Sequence, residues 1–67
     1  MLDVIQKVDG NTVVVSSWGD DALASAKAAY HDRCKLLYAD PDTTKGVVVL
    51  VDDRLDVVDG CKEFIEK

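Results

Sequence analysis

Residues 20–41, DDALASAKAAYHDRCKLLYADP, decide the fold. From Asp21 to about Tyr38 the stretch is rich in Ala and contains neither Gly nor Pro. Leu23, Ala26, Tyr30, Cys34 and Leu37 recur at spacings of three, four, four and three, which is one face of a helix. Ser17 and Asp20 are both acceptable amino-terminal caps, and the pair approximates a capping box, so a helix start near Asp20 is expected. Asp20 and Asp21 suit the positive end of the helix dipole, and Arg33 and Lys35 the last turns. Pro41 disfavours helical geometry at Asp40 and ends the run. About eighteen residues at 1.5 Å each make a rod of roughly 27 Å, the length of a strand of seven or eight residues.

Strand patterns flank this helix. Upstream, Leu2, Val4, Gln6 and Val8 alternate with Asp3, Ile5 and Lys7. Asp9-Gly10-Asn11 then supplies residues tolerant of positive φ, and Thr12 to Trp18 returns as a β-branched run apolar on both faces, so a hairpin is expected. Downstream, residues 40–44 read as a turn and short loop. Gly46 to Asp52 sets Val47, Val49 and Val51 against Val48 and Leu50, the pattern of a central strand. Asp52-Asp53-Arg54 turns the chain and Leu55 to Val58 starts a fourth strand. Two readings stand for the remainder. Gly60 is a bulge in a strand running to Ile65, with Cys61, Glu63 and Ile65 on one face, or Asp59 caps a short helix over 60–67; the strand is the one we favour. The expected fold is α+β, one helix packed on a four-stranded, mainly antiparallel sheet in the order β-β-α-β-β, as a single domain over 1–67. Leu-Asp-Val (2–4, 55–57) and Val-Asp-Gly (8–10, 58–60) each occur twice, which reads either as a pseudo-repeat of outer strands or, the reading we favour in a chain this rich in Val and Asp, as coincidence.

A chain of 67 residues buries only about 60% of the surface exposed when unfolded, so the core is small. With 48% apolar and 31% charged residues it is nevertheless globular in composition. Thirteen acids against eight bases give a formal charge of −5, which argues against direct nucleic-acid binding, since that requires a basic surface. The longest aliphatic run, Val47 to Val51, is far short of the roughly 20 residues of a membrane span. Met-Leu-Asp-Val-Ile-Gln-Lys has no basic segment followed by an apolar one, so no secretory signal and a cytoplasmic location are expected. Cys34 and Cys61 would there be free thiols.

Candidate chemistry is sparse. His31-Asp32-Arg33-Cys34 gathers a base, an acid and a thiol, with His31 and Cys34 three apart as a thiolate–imidazole pair would need. Cys34, however, belongs to the core stripe, where thiols are inert small hydrophobes. His31, Cys34 and Cys61 lack the spacing of a zinc site. Asp40-x-Asp42-x-Thr44 opens like a calcium loop, but Lys45 replaces its sharp-turn Gly and Val51 its bidentate Glu. The glycines at 10, 19, 46 and 60 are isolated, so no phosphate-cradling loop exists. A non-enzyme without cofactor or metal is expected.

Laid out strand by strand, the acids segregate to two ends: Asp9, Asp40 and Asp42 at one, Asp20, Asp21, Asp52 and Asp53 at the other with only Arg54 nearby. Eleven of the thirteen acids are Asp, whose short side chain holds its charge close to the backbone. Trp18 ends the second strand beside Gly19, either anchoring the helix start or exposed as an aromatic hot spot. Asp20, Asp21, Asp52, Asp53 and Trp18 are the candidate partner-binding residues. Eleven valines lie on both sheet faces, yet one helix covers only one face. The uncovered face is expected to meet another chain, most simply a second copy across a two-fold axis.

In size, acidity and single-helix α/β build, the chain resembles small proteins of phages and mobile elements, including the anti-CRISPR inhibitors. The resemblance is to a class, carried by no sequence motif, and transfers no functional residue. It implies a stoichiometric inhibitor that blocks a basic, nucleic-acid-binding surface of a larger host protein. The alternative is a homodimeric structural or regulatory protein whose acidity serves solubility only.

Overall fold

Residues 1–67 are described by a computed structural model in which β1 (Leu2–Val8) and β2 (Asn11–Trp18) form a hairpin. Helix α1 (Leu23–Ala39) crosses one face, and β3 (Lys45–Val51) and β4 (Val57–Glu66) complete an antiparallel sheet of order β2-β1-β3-β4. This is the expected α+β fold, with β3 in the interior of the sheet, where its two apolar faces belong. Strands β1 and β4 run from what we call the lower end to the upper end, and β2 and β3 run back.

Register assigns the faces, because paired residues point the same way. Val4 opposes Leu50, Gln6 opposes Val48, and Gly46 opposes Ile65. Leu2, Val4, Val48, Leu50, Cys61 and Ile65 meet Ala26, Tyr30, Cys34 and Leu37 of α1 in one buried cluster. Gln6, on the same face, accepts a hydrogen bond from Arg33 Nε. Leu23 heads the predicted stripe but is 36% exposed, since it is the first residue of α1 and lies beyond the buried cluster.

The helix ends differ from the sequence expectation. Its N-cap is Ala22, with no side-chain hydrogen bond. Pairing of Asp3 with Ser17 and Leu2 with Trp18 draws Ser17 into the β ladder, so the predicted capping box does not form. A turn closed by the Ala22 N–H on the Gly19 carbonyl (3.0 Å) leads into the helix instead. No basic side chain of α1 occupies its last turn. Lys67 supplies that cation from the far end of the chain, its Nζ donating to the carbonyls of Leu37 (2.9 Å) and Asp40 (2.5 Å).

Asp9 (φ 49°) and Gly10 (φ 89°) close the β1–β2 hairpin with two left-handed residues. The same Val-Asp-Gly triplet recurs at 58–60, where Asp59 (φ 49°) and Gly60 (φ 71°) form the bulge at which the β3–β4 register shifts. The favoured reading, a strand running past a Gly60 bulge to Ile65, is therefore correct; β4 ends at Glu66, with Cys61 and Ile65 buried beneath α1. An ion pair between Lys27 Nζ and Asp59 Oδ2 (2.7 Å) ties the bulge to the helix.

Candidate functional site

At the lower end the β2–α1 and β3–β4 turns come together. The Met1 ammonium donates to Asp20 Oδ1 (2.7 Å) and Asp53 Oδ1 (2.8 Å), so one cation joins two acidic turns remote in sequence. Asp52 has a different task. Its Oδ1 accepts the N–H groups of Arg54 (2.9 Å) and Asp56 (3.1 Å), building the turn from within. Asp21 and Asp56 are exposed and take part in none of the chain's ion pairs. Trp18 is half-buried and packs against the core cluster, its indole N–H donating to Ser16 Oγ at 3.0 Å. Of the five candidate residues, Asp20, Asp21 and Asp53 share the exposed lower end, Asp52 holds a turn, and Trp18 braces the core edge. Asp56 joins the acidic end without being among those five; its place just after the Asp52-Asp53-Arg54 turn is the sequence signal that points to it.

Hydrogen bonds from the ammonium to Asp20 and then Asp53 push the Met1 amino group from 8.0 up to about 10. A cation held more firmly in the folded state stabilises it fully below pH 8, and that contribution is lost as pH rises through about 10. The thermal midpoint is thus expected to fall between pH 8 and 10 in the free-amine protein and to stay flatter across that window after N-terminal acetylation. Identical slopes would show that the amine contributes nothing to the fold.

No family model, curated protein or solved structure matches this chain. What the site can do rests on its own residues.

The remaining candidates are otherwise engaged. Cys34 is buried, and burial pushes its thiol up, so the nucleophilic thiolate is disfavoured. His31 is exposed, its ring set edge-on to Tyr30 at 5.0 Å. Asp40 accepts from the Asp42 N–H (2.9 Å) and the Thr43 hydroxyl (3.1 Å), which hold its carboxyl below the usual range and occupy it within its own turn. No group of three His, Cys, Asp or Glu side chains is placed to hold a metal ion.

The face of the sheet away from α1 is the other feature. Ile5 opposes Val14 on β2 and Val49 on β3, and Val47 opposes Phe64 on β4, so an apolar band crosses all four strands. Phe64 is 66% exposed, with Lys62 Nζ 4.9 Å from its ring centroid. At the upper end the band runs into a groove of about 450 Å³, walled by Val47 and Phe64 and rimmed by charges of both signs, Lys7 and Lys45 with Asp9 and Glu66.

Proposed function

We propose that this protein is a non-catalytic acidic protein-binding module, an inhibitor of the anti-CRISPR kind that occupies a basic, nucleic-acid-binding surface of a larger cytoplasmic protein. The observation that carries this reading is the meeting of two turns at the lower end, which concentrates Asp20, Asp21, Asp53 and Asp56 on one exposed surface. Short Asp side chains keep those charges at defined positions, as imitation of a phosphate row requires. Exposed carboxylates facing Arg and Lys speed association and make it sensitive to salt.

The test is capture from a nuclease-treated lysate of the source organism on the immobilised protein, followed by elution at about 0.5 M salt, where the Debye length falls to roughly 4 Å. A single basic protein should elute, its binding should compete with nucleic acid, and the Asp20→Lys/Asp21→Lys double variant should bind it at least tenfold more weakly with an unchanged circular dichroism spectrum. Equal capture by the double variant would remove the acidic end from the interface. Absence of any salt-eluted protein would overturn the reading. The homodimeric alternative rests on the open sheet face.

A further inference from the structure

We propose that Cys34 and Cys61 form a redox-sensitive pair, which peroxide oxidises to a disulfide that ties α1 to β4. This device does not depend on the acidic end or on the inhibitor reading.

Two contacts fix α1 against β4. Lys27 Nζ meets Asp59 Oδ2 at 2.7 Å, and the Tyr38 hydroxyl donates to Glu63 Oε1 at 2.8 Å. Lys27, Tyr30, Cys34 and Tyr38 follow one another at spacings of three, four and four, so they form one stripe of the helix. Both elements run from the lower end to the upper end. Cys34 therefore lies between the two contacts on α1, and Cys61 lies midway between Asp59 and Glu63 on β4. Both side chains enter the same buried cluster. Burial chiefly, then Cys34 and Cys61 together, raise the Tyr30 hydroxyl above its ordinary range, in keeping with two sulfurs beside one phenol.

Position and chemistry suit a switch. β4 is an edge strand, so the seam between it and α1 opens to solvent along one side. Cys34 and Cys61 keep 9% and 8% exposure, whereas Val4, Val48, Leu50 and Ile65 of the same cluster keep none. Both are free thiols in the structure. Burial, the largest influence, holds the Cys34 thiol above its ordinary range, so the pair stays reduced until the oxidant is in excess. One thiolate then attacks a peroxide oxygen and becomes a sulfenic acid, releasing hydroxide that takes up the thiol proton as water. The second thiol displaces the sulfenic oxygen as water, so two thiols and one hydrogen peroxide give one disulfide and two waters. The bridge closes residues 34–61 into a loop, which restricts the unfolded chain and holds the two packed elements where they already lie. A core this small gains more from such a link than a large one.

Incubation of the reduced, purified chain with ~1 mM hydrogen peroxide tests this without any partner, so its outcome is separate from that of the capture experiment. The expected product is a monomer without titratable thiols, in which peptide mapping joins Cys34 to Cys61. Its thermal midpoint should rise by at least about 10 °C and return on treatment with dithiothreitol. Cys34→Ala and Cys61→Ala, each of which leaves one thiol, should show no rise under the same treatment. Two free thiols in the treated chain, their loss to sulfinic acids without a bridge, or disulfide-linked dimers as the only product would each overturn the proposal. A bridged monomer whose midpoint is unchanged or lower would overturn it too, since the thiols would then not be opposed in the native fold. A rise of the same size in either Ala variant would have the same consequence.

Discussion

Leu50→Ala is expected to cost about 3 kcal/mol, a large part of the stability of a domain this size. Leu50 is fully buried one residue before the end of β3, paired with Val4 on one side and facing the Asp59-Gly60 bulge on the other. Its side chain helps fill the layer between the sheet and Tyr30, Cys34 and Leu37 of α1. Around it are ladder backbone and buried side chains, so the cavity left by truncation collapses only in part. At roughly 0.05–0.15 kcal/mol per residue the whole domain has about 3–10 kcal/mol, so the substitution removes about a third or more of it. Urea titration followed by circular dichroism reads this as a lower midpoint with an unchanged slope. A loss below about 1 kcal/mol would mean that α1 does not close over β3.

The second large effect separates two neighbouring residues. Ile65→Asp should abolish folding, whereas Phe64→Asp should leave the fold intact and change stability by less than about 1 kcal/mol. Ile65 is fully buried in the helix-side cluster, where no basic side chain stands to pair with a carboxylate. Phe64 points the other way, into the open face beside Val47. Amide-resolved NMR distinguishes the outcomes: collapse of dispersion for Ile65→Asp, a dispersed spectrum for Phe64→Asp. A folded Ile65→Asp variant would contradict the strand assignment of residues 61–66.

Both substitutions probe strand patterns that are legible in the residue order alone. Gly46 to Asp52 announces an interior strand by its unbroken Val and Leu, and Cys61-x-Glu63-x-Ile65 favours a strand by its period of two. Neither pattern says which strand lies beside which. The open face is legible as an excess of valine, but its band from Val14 to Phe64 exists only because β1 sits between β2 and β3. The acidic end is legible as a segregation of Asp residues. The division of labour within it is not, because the role of Asp52 depends on turn geometry and that of Asp20 and Asp53 on the position of the Met1 ammonium.

By itself the sequence determined whatever is local. The helix face from Ala26 to Leu37, its end before Pro41, and the tight turn at Asp9-Gly10 follow from φ preferences and the periods of helix and strand, which act between near neighbours in the chain. Tertiary structure alone decided the rest. Ser17 entered a β ladder instead of capping a helix because pairing with Asp3 satisfies its backbone, and Lys67 reached the carboxyl end of α1 because β4 returns to the upper end beside it. Those outcomes depend on hydrogen bonds between segments distant in sequence, whose partners only the folded sheet brings into reach.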